Sequence, residues 1–105
     1  MGLGLLTQAA RVRPPVGATE LAVTTSASAA QSLGTTGGSD VWYTFICTQA
    51  FNLEFDEDAT PPDPSANYMF AAGVMYSFNI SKQVLSFKAR ATAAGTLKWW
   101  RSSYA

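Results

Sequence analysis

The chain has 105 residues, 48% of them hydrophobic and 13% charged, with a formal net charge of zero. That length holds one domain with a real apolar core and little room for a second. Charge is about half the roughly 25% of an average soluble domain, and no basic run marks a nucleic-acid surface.

There is no histidine, so the commonest general base and the commonest transition-metal ligand are both missing. With so little Lys and Glu, the large surface of a small domain must be covered by Ser, Thr, Ala, Gly and Asn. Zero net charge removes the repulsion that holds free monomers apart. Both properties point to a subunit of an assembly, against the plainer alternative of a Ser/Thr-rich β-protein. The single cysteine, Cys47, allows no intrachain disulfide and reads as a small core hydrophobe. No apolar run approaches the ~20 residues that span a bilayer. Residues 1–10 lack the leading positive charge of a signal peptide, and Leu6 stands where a myristoylation signal needs Ser or Thr.

Residues 1–18 read as an extended N-terminal arm. Leu3, Leu5 and Leu6 are interrupted by glycine, and Arg13-Pro14-Pro15 ends any helical turn. A solvated tail seldom needs leucines, so they favour an arm ordered against a neighbouring subunit. Residues 20–27 form the first strand. Residues 26–38 are a loop, with a short strand or turn near Gln31-Ser32-Leu33. Residues 40–50 are the most β-prone stretch. Val41, Tyr43, Phe45 and Cys47 form one face; Trp42, Thr44, Ile46 and Thr48 form the other. Both faces are largely apolar, which predicts a central strand covered on two sides.

Phe51, Leu53 and Phe55 then alternate with Asn52 and Glu54. Residues 56–64 are a loop, acidic first and then stiffened by Pro61, Pro62 and Pro64. Residues 67–72 predict a short strand broken by Gly73. Val74, Tyr76, Phe78 and Ile80 alternate with Met75, Ser77 and Asn79, and Leu85, Phe87, Ala89 and Ala91 alternate with Ser86, Lys88, Arg90 and Thr92 beyond a turn at Ser81-Lys82. Ala93-Ala94-Gly95 is the next turn, with Gly95 available for a positive φ, and residues 96–101 complete a meander. With no amphipathic helix of any length, the fold class is all-β. The expected architecture is a small antiparallel β-sandwich or jelly-roll-like barrel over residues 19–105, with the arm 1–18. Trp99 and Trp100 cannot both face inward from one regular strand, so one of them joins Tyr104 as a candidate interface anchor.

Glu54, Asp56, Glu57, Asp58 and Asp63 hold five of the seven acids. Lys88, Arg90 and Lys98 fall on one outer face of such a meander, facing either solvent or the acidic loop of a neighbouring copy. Asp56, Asp58 and Asp63 carry the oxygens that Ca²⁺ takes, but the spacing lacks the glycine and closing glutamate of an EF-hand, so a solvated acidic turn is the default and no metal is assigned. Glu54 with Asp56 or Asp63 can be posed as a glycosidase pair, but no second cluster supports it. The chain is read as no enzyme and as needing no cofactor. Aromatics exposed on one face would suit stacking on sugars.

The order of these segments carries a resemblance. Val41-Trp42-Tyr43-Thr44-Phe45 is followed by Phe51-Asn52-Leu53-Glu54-Phe55 and the acidic, proline-bearing loop. Then come Ala72-Gly73-Val74-Met75-Tyr76-Ser77-Phe78-Asn79-Ile80, Leu85-Ser86-Phe87-Lys88-Ala89-Arg90-Ala91 and Ala94-Gly95-Thr96-Leu97-Lys98. This resembles small β-sandwich structural proteins of tailed bacteriophages, over residues 40–98. Residues 1–38 have no counterpart in the pattern, and Trp99-Trp100-Arg101 departs from it. The resemblance implies a virion component made in the host cytoplasm. Within that family a capsid cement or decoration protein fits best, burying surface between capsid subunits. Its partners would be the major capsid protein or other virion proteins and copies of itself, a trimer among the arrangements, with no nucleic acid and no membrane. Contacts are expected from Leu3, Leu5, Leu6, Arg11, Arg13, Trp100 and Tyr104. The rivals are a head–tail connector, tail or fibre accessory protein and, from another class, a glycan-binding β-sandwich module.

Overall fold

The computed structural model describes residues 3–7, 18–33, 41–81 and 83–102. Among them lie eight strands and no helix. The strands are β1 (Leu3–Thr7), β2 (Thr19–Val23), β3 (Gln31–Ser32), β4 (Val41–Cys47), β5 (Phe51–Asp56), β6 (Tyr76–Ile80), β7 (Ser86–Ala91) and β8 (Gly95–Ser102). They build two antiparallel sheets around one core. The larger has the order β1-β6-β4-β8-β2, and the smaller β3-β7-β5.

The doubly apolar stretch at 41–47 sits where its composition predicts, in the middle of the larger sheet. Tyr43, Phe45 and Cys47 are buried towards the smaller sheet. On the opposite face Thr44 is also fully buried, and its Oγ1 lies 2.7 Å from the Ser77 Oγ on β6. Phe45 is the keystone between the layers. Its ring meets Phe78 of its own sheet and Phe87 and Phe55 of the other, all edge to face at 5.2–6.0 Å. Trp99 closes on Phe87 at 4.9 Å, nearly perpendicular. Such ring pairs each add about 0.5–1.5 kcal/mol beyond area burial. Ala89 and Ala91 face the same interior. Their small side chains leave room for the rings crossing from the larger sheet.

The pairing is nested. Leu21 lies opposite Leu97, Gln31 opposite Phe87, Tyr43 opposite Phe78, and Phe51 opposite Phe70. Along these four pairs both arms of the chain step inward together, so the paired segments run as an antiparallel ribbon shared between the two sheets.

Four local expectations change. The second half is not a meander: β6, β7 and β8 alternate between the sheets. Alternation gives each strand an inward face but does not say which sheet the face belongs to. Gly95 is required for close approach rather than for positive φ. A Cβ there would stand 2.5 Å from Thr48 Oγ1 and 2.8 Å from Gln49 Cγ. The positive φ falls instead at Gly73, at 73°, and at Ala59, at 70°. The short strand expected at 67–72 contracts to a single bridge at Phe70. Lys98 also parts from Lys88 and Arg90: it lies in the larger sheet opposite Glu20, and the other two lie on β7.

Candidate partner-docking groove

The acidic, proline-bearing loop folds back onto the smaller sheet. Pro61 and Pro64 are fully buried. Lys88 Nζ reaches Asp63 at 3.1 Å, and Arg90 donates to the carbonyls of Thr25 (2.6 Å) and Pro64 (3.4 Å). The basic groups of β7 thus hold this chain's own loop. Asn52 completes the clamp. Its amide nitrogen donates to the carbonyls of Ser65 and Asn67, and its Oδ1 accepts the Met69 N–H at 3.1 Å.

That clamp decides what happens at the edge of the sheet. Phe51 and Phe70 exchange both backbone hydrogen bonds, at 2.9 and 3.2 Å. One residue further along, the Asn52 side chain holds the carbonyls of Ser65 and Asn67 and the Met69 N–H, and no ladder bond follows the Phe51–Phe70 pair on that side among the described residues. The segment peels away, and β5 continues from Leu53 without a neighbour on that side among the described residues. Backbone groups alternate sides along a strand. Phe51 points to Phe70, while Ala50 and Asp56 point to the β7 side, accepting from Thr92 and Leu85. The N–H and C=O of Leu53 and Phe55 therefore face outward from the edge.

An open groove of about 460 Å³ lies beside them, with Leu53, Phe55, Phe70 and Phe78 among its walls and Met69 at its rim. Met69 is 72% exposed, the most exposed large hydrophobic side chain among the described residues. The C-terminal end of β5 and the turn after it are acidic. The Asp56 carboxylate accepts the Asp58 N–H, and Asp58 accepts the Thr60 hydroxyl, each at 3.2 Å. No cation pairs with Glu54, Asp56, Glu57 or Asp58 among the described residues; the ion pairs there are Lys88–Asp63 and Lys98–Glu20. Nor do His, Cys, Asp and Glu side chains form a group of three that could hold a metal, among those residues.

Among the described residues, two core groups, Tyr43 and Cys47, have raised pKa values. Burial pushes the Tyr43 phenol up, partly offset by the charge of Arg101, and the phenol donates to the Leu33 carbonyl. Burial likewise pushes the Cys47 thiol up, against backbone hydrogen bonds from Gln49 and Thr48.

The contacts expected from sequence are dispersed. Leu3, Leu5 and Leu6 stand in β1, opposite Ile80, Phe78 and Ser77. Trp100 occupies the outer face of β8 opposite Thr44, yet is only 9% exposed. Arg11, Arg13 and Tyr104 lie outside the described residues. The groove itself gives one sequence signal, an asparagine inside an apolar alternating strand, where Asn is usually depleted. Comparison with protein-family models, curated proteins and solved structures found no match to this chain.

Proposed function

We propose that the chain is a virion structural protein with a jelly-roll fold, acting as a capsid cement or decoration protein. The observation that carries this reading is the nested pairing of β2 with β8, β3 with β7, β4 with β6 and Phe51 with Phe70. Divided between two sheets, that winding corresponds to two Greek keys, an architecture used by viral capsid domains. Low charge and zero net charge support life within an assembly. The partners are the major capsid protein or other virion proteins and further copies of the chain, a trimer among the arrangements. The mechanism is burial of surface between capsid subunits, with no chemistry.

Lectin domains use the same winding, and sugar binding is the reading of another class. It calls for rings presented on one face, whereas Phe45, Phe51, Phe78, Phe87 and Trp99 are engaged in the core. The test is thermal. Capsids lacking the protein are titrated with purified chain, and release of their contents is followed on heating. A saturable rise of several degrees is expected. An unchanged release temperature at saturation overturns the cement role.

A further inference from the structure

We propose that the outer edge of β5 is a strand-docking site for an extended polypeptide segment, apolar at alternate positions and carrying Lys or Arg at its N-terminal end. The proposal deepens the assembly reading by naming the partner chemistry of the groove. Strand addition needs unpaired backbone groups beside pockets for alternate side chains. Both are present at one place. Leu53 and Phe55 turn their N–H and C=O groups outward, and the groove walled by Leu53, Phe55, Phe70 and Phe78 lies next to them. The segment that would have filled this position leaves at Phe70, held off by Asn52. An incoming strand takes up the antiparallel course that 67–69 abandons.

Charge selects the occupant. An antiparallel strand places its N-terminal end beside the C-terminal end of β5, where Asp56, Glu57 and Asp58 stand without a cation among the described residues. A second copy of β5 is disfavoured, because a two-fold pairing about Glu54 sets like charges face to face. A basic start followed by alternating apolar residues satisfies the acids, the backbone groups and the groove together.

The test uses the purified chain and a labelled peptide of two lysines followed by alternating valines and threonines. Saturable binding in the micromolar range is expected, weakening as salt rises. N-methylating the peptide at the residues that face Leu53 and Phe55 should cost about tenfold or more in affinity, as two lost hydrogen bonds imply. N-methylating the alternate residues should cost little. Absence of saturable binding, or equal tolerance of both methylation patterns, overturns the proposal. Concentration-dependent dimerisation that the peptide abolishes would place a second copy on the edge and overturn the choice of occupant. No particle is involved, so failure here leaves the virion reading standing, and an unchanged capsid release temperature leaves the strand site standing.

Discussion

Asn52 is the residue on which the shape of the smaller sheet turns. It is buried, and its side chain makes three hydrogen bonds that fasten the backbone of Ser65, Asn67 and Met69 beside β5. Asn52→Ala should lower the unfolding free energy by about 2–3 kcal/mol, since each bond contributes about 1 kcal/mol and buried partners are left unsatisfied. Urea unfolding measures it; a change below about 0.5 kcal/mol would show that the clamp is not holding the loop. Tyr43 and Cys47 give the residue scale its pH dependence. Both fold with raised pKa values, so both hold their protons more tightly in the native state. Their contribution is complete below the ordinary thiol and phenol values of 9.0 and 10.0 and is lost as pH rises through the raised ones. The urea midpoint should stay level from neutral pH to about 9 and fall above it. A midpoint that stays level throughout the alkaline range would contradict this. Cys47 as a core hydrophobe was legible from its apolar strand. The need for Gly95 was not, because the atoms it must avoid belong to Thr48 and Gln49, far off in sequence.

At the scale of elements, periodicity marked the inward rings and alanines but not every position: Leu85, read as inward, is 40% exposed, and Asn52, Ser77 and Ser86, on the polar side of the alternation, are buried. It correctly makes β4 central, because both its faces are apolar, and it marks Phe78, Ile80, Phe87, Ala89 and Ala91 as inward. It was silent on pairing. Neighbouring strands β6 and β7 belong to different sheets, and β7 pairs instead with β3 and β5. The short strand expected at 67–72 reduces to the Phe51–Phe70 bridge, because periodicity within the segment carries no sign that the Asn52 side chain fastens 65–69 to itself. The N-terminal leucines suggested an arm, and the structure pairs Leu3–Thr7 with Tyr76–Ile80 along the edge of the larger sheet. Removing residues 1–18 should bare the β6 edge, cost about 1–3 kcal/mol for five cross-strand pairs, and abolish attachment to capsids. Unfolding and particle co-sedimentation of the truncated chain would check this. Normal attachment by the truncated chain would exclude the arm from the contact.

For the molecule as a whole, composition and winding bear on the same conclusion from different directions. A surface poor in charge, with a net charge of zero, suits a subunit surrounded by others. The nested ribbon suits the double-sheet architecture found in capsid domains. Composition was readable at once. The strand order was not, because partners such as Leu21 and Leu97 meet only when the two sheets pack on the rings of Phe45, Phe87 and Trp99. The docking groove depends on that long-range arrangement and was equally hidden. The central claim is that this chain covers a capsid, and its most direct test is the number of copies in purified particles, counted by quantitative mass spectrometry against the major capsid protein. A cement or decoration role predicts copies on the order of hundreds, comparable with the capsid lattice they cover. A few copies would place the protein at a portal vertex, tail or fibre, and absence from particles would contradict the virion account altogether.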